Sequence, residues 1–324
     1  MKAKSGLTRF HDCYILRNSK IIKEDLWIRD GKIVNPEQVF YVEQVEADVT
    51  VNCENSLIAP GFIDIQNNGG WGVDFSYDSE NVEEGVQKVA KALLAHGVTS
   101  FCPTMVTSDK EKYSKILPRI QKHQGSQLGA SILGVHLEGP FISLAKKGAH
   151  KDEYIQNPEK FHHRDPGLVG LLASTTEKQV YYGIISDGIH THPAALRIAC
   201  RTNPDGLILV SDAVAAQGLA DGNYRIGPQS VNVENGRAYI TGTKVLCGST
   251  TALDECVKTL KEATDCSLEY ALETASLHPA KALGIDHIKG KLNFGHDADF
   301  VIIHPKSMKV LSTWIAGECV YKSS

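Results

Sequence analysis

The sequence lacks the long apolar runs and the cysteine motifs that mark several classes of protein. No stretch of its 324 residues approaches the ~18 consecutive apolar positions of a transmembrane helix. Its eight cysteines are scattered without a CxxC pair, which favours free thiols in a reducing compartment. Because the N-terminus also has no apolar signal region, we expect a cytosolic protein with no membrane partner.

An excess of basic charge is missing as well. The formal net charge is -4 and the pI is near 6.4, so nothing in the bulk electrostatics favours nucleic acid as a partner. The motifs GxGxxG, Walker A and GxSxG are absent. These absences argue against a dinucleotide-binding fold, a P-loop enzyme and a serine hydrolase of the nucleophile-elbow type.

What the sequence does contain is a strand-rich pattern at both ends. Residues 1–58 and 286–324 carry short runs with the period of two that is typical of strands, separated by Gly and Asn-Pro turns. The middle of the chain has a different pattern. The two ends are therefore predicted to assemble into one small β-domain.

Residues 59–285 alternate strand and helix patterns, which predicts an α/β sheet or a (β/α)8 barrel. Five apolar runs end in polar residues: GFIDIQN, TSFCPTMVT, ILGVHLE, YYGIISD and LILVSD. The clearest helix, NVEEGVQKVAKALLAHG, ends at Gly97. A barrel needs eight parallel strands, with its chemistry at their carboxyl ends. The sequence supplies five, and none between Phe141 and Tyr181.

Two acidic residues at predicted strand ends are candidates for chemistry. Glu138, in GVHLEGPF, is placed to ligate a divalent metal ion, although a glutamate that caps a turn would look the same. Asp212, in LILVSDAV, is placed to take a proton from a water molecule and pass it to a departing amine. The alternative for Asp212 is a helix N-cap.

Histidines and basic loops supply further candidates. His190 and His192 form a His-x-His pair that would chelate a metal on a strand, but Pro193 favours separate surroundings and hydrogen bonding of His190 to substrate. The basic loops KKGAHK and HHRDPG are suited to binding phosphate, and the second of them contains Arg164. The alternative is that they are merely solvated, as most basic loops are.

Taken together and in this order, these runs resemble the N-acetylglucosamine-6-phosphate deacetylases of the amidohydrolase superfamily, in their animal-type form. The segments that carry the resemblance cover nearly the whole chain: APGFIDIQNNGGWGVDFS, GVTSFCPTMVTS, GVHLEGPFIS, KKGAHK, HHRDPG, SDGIHTHPAALRIA, LILVSDA, SLHPAKALGI and GHDADFVII. The resemblance implies a TIM barrel, a β-sandwich made from both termini and hydrolysis of the N-acetyl group. It also implies a homodimer that acts on an amino-sugar phosphate. Other amidohydrolases, such as dihydroorotases or deaminases, are disfavoured by the two basic loops.

The resemblance also assigns roles to individual residues. Glu138 matches the metal-binding glutamate, and Asp212 matches the catalytic acid and base. Gln66 and Asn68 stand where many amidohydrolases have His-x-His, which implies one divalent ion, zinc, iron or similar, rather than two. The residues that match substrate contacts are Ala149, His150, Arg164, Asp187, Gly188, Ile189, His190, Leu246, Cys247 and Gly248.

The chain departs from the family pattern in one place. The family has two more metal-ligand histidines, in a Gly-His-Ser turn and in a Thr-His-Leu-Phe-Asn-Ala-Met run, and neither string is present. Both belong between GAHK and HHRDPG, together with about three strand–helix units. We therefore expect an incomplete barrel with impaired metal binding and activity. The alternative is a non-catalytic splice form or binding module of the same family.

Overall fold

A computed structural model describes residues 6–144, 150–156, 170, 172, 178–226 and 229–324. The strands, in chain order, are β1 Leu7–Arg17, β2 Lys20–Lys23, β3 Leu26–Arg29, β4 Lys32–Ile33, β5 Val49–Pro60, β6 Phe62–Asn67, β7 Gly69–Gly70, β8 Val73–Asp74, β9 Val98–Val106, β10 Ser131–Ile132, β11 His136–Glu138, β12 Tyr182–Ile184, β13 Leu207–Leu209, β14 Gly222–Ile226, β15 Gln229–Glu234, β16 Arg237–Ile240, β17 Phe300–Ile303, β18 Val310–Ile315 and β19 Glu318–Lys322.

The α-helices are α1 Val82–Leu93, α2 Lys110–Ile116, α3 Pro193–Thr202, α4 Leu253–Thr264, α5 Leu268–Glu273 and α6 Leu277–Ala282. Further helical turns in the described part of the chain are a π-helical turn at Gln38–Glu43 and 3-10 turns at Leu94–His96, Leu117–Arg119, Asp152–Tyr154 and Pro204–Gly206. Among the described residues, every helix is too short or too polar to span a bilayer.

The two ends of the chain meet in one sheet of eight strands. Its order is β19-β18-β17-β5-β1-β3-β4, with β2 paired to β1. The pair β17 and β5 joins the C-terminal part to the N-terminal part, with Phe300 opposite Pro60. One face packs around Phe10, Phe300 and Trp314, whose rings lie within 5.6 Å of each other. The domain boundaries and the division into a two-sheet sandwich stay predictions.

The middle of the chain forms two groups of parallel strands. Strands β10 and β11 pair with β9, β9 pairs with β6, and β12 pairs with β13, all in parallel. Asp212 N, just beyond β13, donates to the backbone oxygen of Gln66 in β6 at 2.9 Å, and this bond joins the two groups of strands. All five runs that were predicted as barrel strands form strands, and the ILGVHLE run divides into β10 and β11.

Helix α1 shows how the parallel strands are covered by a helix. Val82, Val86, Val89 and Leu93 are buried, while Glu83 and Glu84 stand in the first turn, where the helix dipole favours acidic groups. Gly97 closes the helical segment with φ +73°, in the left-handed region. The predicted C-cap at Gly97 is confirmed.

A three-stranded meander formed by β14, β15 and β16 was not predicted. It lies between Asp212 and α4, after the last of the five predicted strands. The three strands are antiparallel, so they are not part of the barrel wall. Their pattern of alternating Val231, Val233 and Ala238 on a buried face is a strand signal that was present in the sequence.

Candidate functional site

Asp212 lies where the two groups of parallel strands meet. Its Oδ1 accepts hydrogen bonds from Gln66 Nε2 at 3.0 Å and from Asn68 Nδ2 at 2.8 Å. Gln66 and Asn68 reach it from the same direction because side chains two positions apart in an extended segment share a face. The residue adopts φ +45°, which is uncommon for a side chain other than Gly and marks a position fixed by its surroundings. Asp212 is therefore not a helix N-cap, which was the alternative to a catalytic role.

The surroundings of Asp212 make its carboxyl group a weak acid. Burial and the charge of Glu138 together raise the pKa of Asp212 to about 8, although the Gln66 amide and His190 act in the opposite direction. Below Asp212, Asp64 is fully buried and accepts from Ser211 Oγ at 2.5 Å. Burial likewise raises the pKa of Asp64 to about 6. A carboxyl group with a pKa near neutrality is suited to general acid and base catalysis.

In the presence of a chelator, we expect the stability of Asp212→Asn relative to the wild-type protein to increase as pH rises. The folded pKa of Asp212 is about 8, above the unfolded value, so its contribution to stability is full below pH ~4 and is lost as pH rises through about 8. Asparagine does not ionise, and its Oδ1 still accepts from Gln66 and Asn68. The difference in unfolding free energy is expected to grow by about 1.4 kcal/mol per pH unit at most.

Urea unfolding at pH 5, 6.5 and 8 measures this difference. Asp30→Asn is the matched control, because Asp30 is an exposed aspartate in a left-handed turn. A constant difference between Asp212→Asn and wild type across the three pH values would contradict the assignment.

Glu138 ends β11 and faces the same end of the barrel wall. Its Oε1 lies 3.0 Å from His150 Nε2, and its backbone oxygen accepts from Thr107 Oγ1 at 2.6 Å. The side chain of Glu138 is 23% exposed and that of His150 is 10% exposed. Gly139 follows with φ +91°, and a Cβ there would lie 1.9 Å from Thr107 Oγ1, so only glycine fits. The sequence Glu-Gly therefore fixes where the carboxylate points.

The loop after β12 holds His190 in a defined orientation. Asp187 Oδ2 lies 2.6 Å from His190 Nδ1, and Asp187 Oδ1 accepts from the backbone N–H groups of Ile189 and His190. Burial alone would raise the pKa of Asp187, but the hydrogen bonds from His190 lower it below its usual value. The bond to Asp187 raises the pKa of His190, and the charge of Asp212 adds to the effect. Asp187 thus fixes the orientation of the His190 ring, close enough to Asp212 for the charge of Asp212 to act on it.

His192 does not form a chelating pair with His190. Its Nδ1 accepts from Ala194 N at 3.1 Å and caps α3, which begins at Pro193. The interpretation of separate surroundings for the two histidines is confirmed, and Pro193 is the reason, because it starts a helix at this point.

The segment Leu246–Cys247–Gly248 is bound to the same strand end. Cys247 N donates to Ala238 O at 2.9 Å, and Ser249 N donates to Asp212 O at 3.3 Å. Gly248 has φ +137°, and a Cβ there would lie 2.4 Å from the Val214 side chain. Burial raises the pKa of Cys247 to about 11, so its thiol is protonated at neutral pH and is not a nucleophile.

The donor set was tested for a divalent metal ion. Within the described residues no group of three or more His, Cys, Asp or Glu side chains is arranged to hold a metal ion. A catalytic zinc usually has three protein ligands. The described residues therefore do not fit a tightly held catalytic ion, even though Glu138 and Asp212 face one another closely enough to raise the pKa of Asp212.

The structure brings together most of the predicted site. Ala149 and Arg164 lie outside the described residues, as do His162 and His163. The sequence analysis did not anticipate that Gln66 and Asn68 donate to Asp212, nor that His150 pairs with Glu138. For the hydrogen bonds from Gln66 and Asn68, the sequence contained a signal. The two amides stand two positions apart at the end of a strand, and this spacing places them on one face.

Comparison with known proteins agrees with this geometry. The family model of the amidohydrolase family matches residues 57–180 and 161–320. The N-acetylglucosamine-6-phosphate deacetylase of Danio rerio is 43% identical, with 98% of this chain and 97% of that protein covered. The Homo sapiens protein of the same name is 41% identical, with 99% of this chain and 97% of that protein covered.

Solved structures are similar over the whole length. N-acetylglucosamine-6-phosphate deacetylase from Pasteurella multocida has a TM-score of 0.82 at 23% identity, covering 98% of this chain and 100% of that chain. The enzyme of the same name from Thermotoga maritima has a TM-score of 0.77, also at 23% identity, covering 97% and 100%. At this identity these structures show a shared mixed α/β fold. With the family match and the 43% identity, the chain belongs to the N-acetylglucosamine-6-phosphate deacetylases, amide hydrolases of the amidohydrolase family.

Proposed function

We propose that this chain binds N-acetylglucosamine 6-phosphate and removes its acetyl group, with turnover that is impaired relative to longer members of the family. The observation that supports the proposal is that Asp212, Glu138 and the Asp187–His190 pair lie together at one end of the parallel strands. The names of the curated relatives support the substrate, since they are deacetylases of this sugar phosphate.

Different residues of this chain carry out different steps of amide hydrolysis. Asp212 takes a proton from the attacking water and passes it to the departing nitrogen, as its pKa of about 8 permits. His190, oriented by Asp187, donates a hydrogen bond to the amide oxygen as negative charge develops there. Gln66 and Asn68 hold the Asp212 carboxylate in place. Acetate and glucosamine 6-phosphate are the products.

Substrate contacts complete the proposal. His150, Gly188, Ile189 and the segment 246–248 border the sugar, and Ala149 and Arg164 contact it from the part of the chain outside the described residues. The substrate phosphate is the partner of Arg164, because a guanidinium binds phosphate in a bidentate manner. We further propose a homodimer in the cytosol.

The impairment rests on the metal ligands. Glu138 is the proposed ligand of a single divalent ion, and its two histidine partners are absent from the sequence together with their motifs. The alignments to the animal relatives extend over 393 to 398 positions, more than the 324 residues of this chain, so they contain gaps on its side. Both observations support an internal deletion and weak retention of metal.

The test is to purify the chain, measure bound metal by mass spectrometry and assay acetate release from N-acetylglucosamine 6-phosphate. We expect less than one metal ion per chain and slow release that Asp212→Asn abolishes. Stoichiometric metal with turnover equal to that of a relative assayed in parallel would overturn the impairment. No acetate and no binding of the sugar phosphate would overturn the deacetylase function and favour a non-catalytic splice form or binding module.

A further inference from the structure

Asp64, in β6, is an aspartate whose side chain is completely shielded from solvent. Its Oδ2 accepts from Ser211 Oγ at 2.5 Å and from Asn67 Nδ2 at 3.3 Å, and its Oδ1 accepts from Ser211 N at 3.2 Å. These donors are all neutral. Because a buried carboxylate without a cation is costly to hold in a fold, Asp64 is expected to serve more than packing.

Ser211 connects Asp64 to both sides of Asp212. The backbone N–H of Ser211 donates to Asp64 Oδ1, and the backbone N–H of Ala213 donates to Ser211 Oγ at 3.2 Å. Asp212 therefore stands between two N–H groups, one bound by Asp64 and the other by the hydroxyl that Asp64 orients. An ionised carboxylate only accepts, so it fixes the direction of the hydroxyl hydrogen and leaves the oxygen lone pairs to Ala213 N and its other donor.

Asn67 is that other donor, and it ties the group to a second strand. Its Nδ2 donates to Ser211 Oγ at 3.3 Å as well as to Asp64. Its backbone N–H donates to Thr104 Oγ1, in β9, at 2.9 Å. Asp64, Asn67 and Ser211 thus form a fully buried cluster that links β6, β9 and the end of β13 directly beneath Asp212.

The backbone of Asp212 needs this support. Its φ of +45° is in the left-handed region, which a residue with a side chain keeps only where its surroundings fix it. Gln66 and Asn68 both donate to Oδ1, so the other oxygen, Oδ2, is the one available to water and substrate. A small rotation of this residue would move Oδ2 away from the reacting atoms, and reaction rates are sensitive to such displacements.

We propose that Asp64 is a positioning residue for amide hydrolysis, acting through Ser211 to hold the Asp212 carboxylate in the orientation that proton transfer requires. This inference rests on the proposed function, since it assumes that Asp212 is the acid and base. Asp64 itself is too deeply buried to touch the substrate, so its effect falls on the catalytic step and not on substrate binding.

Steady-state acetate release by Asp64→Asn tests the proposal. Asparagine is nearly the same size, but its amide donates where the carboxylate oxygen accepted, so the Ser211 hydroxyl loses its fixed direction. We expect kcat to fall about tenfold or more, with KM changed by less than about twofold. Ser211→Ala is expected to lower kcat by a similar factor. The double variant is expected to be no slower than the slower single variant, because both changes remove one hydrogen bond.

Asp74→Asn is the matched control. Burial raises the pKa of Asp74 to about 6, as it does that of Asp64, and Asp74 Oδ1 accepts from Ser76 N at 2.9 Å and from Tyr77 N at 3.1 Å. Its kcat is expected to equal that of wild type. Hydrogen exchange at residues 211–213 is expected to be faster in Asp64→Asn and unchanged in Asp74→Asn.

The outcomes separate the two proposals. If wild type releases acetate and Asp64→Asn does so with the same kcat, the positioning role is overturned while the proposed function stands. The same holds if Asp64→Asn lowers only the unfolding midpoint, or if its effect and that of Ser211→Ala multiply in the double variant. If wild type releases no acetate, the proposed function fails, and the positioning role with it.

Discussion

Inserting the corresponding segment of a longer relative between Phe161 and His162 is expected to raise acetate release by about a thousandfold or more. The segment is the one that holds the Gly-His-Ser and Thr-His-Leu-Phe-Asn-Ala-Met motifs. It would supply two histidines to join Glu138, which gives the three protein ligands that a catalytic zinc usually has. The expected gain is large because a well-held divalent ion lowers the pKa of bound water from about 15.7 to about 7.

The same insertion with both ligand histidines changed to alanine is the control. It restores the length of the chain and the three strand–helix units but not the ligands. If this control gained as much activity as the unmodified insertion, the missing barrel wall and not the missing ligands would be the cause of impairment. Bound metal, measured in parallel, is expected to rise to one ion per chain only when the histidines are present.

The parallel strands and the site were largely predictable from sequence. Each strand is a short apolar run that ends in polar residues, and the carboxyl ends of parallel strands meet at one edge, so Glu138 and Asp212 were expected on the same side. The structure has both there. The amidohydrolase family and its deacetylase members followed from the order of several motifs, and the comparisons confirm that prediction.

What the sequence did not reveal depends on contacts between distant residues. Gln66 and Asp212 are 146 positions apart, and their hydrogen bond exists because β6 and the end of β13 are neighbours across the wall. The local spacing of Gln66 and Asn68 places two amides on one face, but the identity of their partner, Asp212, is a tertiary property. The meander differs in this respect, because the alternation of buried Val231 and Val233 is a local strand signal.

The second large effect concerns stability. Lys289 lies at the junction of the terminal sheet and the barrel, with its side chain only 5% exposed. It forms ion pairs with Asp297, at 2.9 Å, and with Asp299. Asp299 in turn accepts from Ala316 N at 2.8 Å, and its backbone oxygen accepts from Gly61 N. Burial opposes the charged form of Lys289, but Asp299 and Asp297 together raise its pKa, so the ammonium is retained.

Lys289→Ala is therefore expected to lower the free energy of unfolding by about 3–5 kcal/mol, because it leaves the buried carboxylate of Asp299 without a cation, while Asp297 keeps its ion pair with Lys32. Lys291→Ala is the matched control. Lys291 also pairs with an aspartate, Asp286, at 2.8 Å, but its side chain is 29% exposed and its partner's 37%, so the loss is expected to stay below about 1 kcal/mol. Urea unfolding of both variants measures the two losses.

A double variant then identifies the cause of the loss. Lys289→Met/Asp299→Asn removes the cation and the carboxylate nearest to it, so it is expected to be more stable than Lys289→Met alone, since one uncompensated buried charge is gone. If the two variants were equally unstable, lost packing of the lysine stem and not the buried charge would account for the effect. If Lys289→Ala were no worse than Lys291→Ala, the ion pairs at this junction would contribute little to holding the terminal sheet against the barrel.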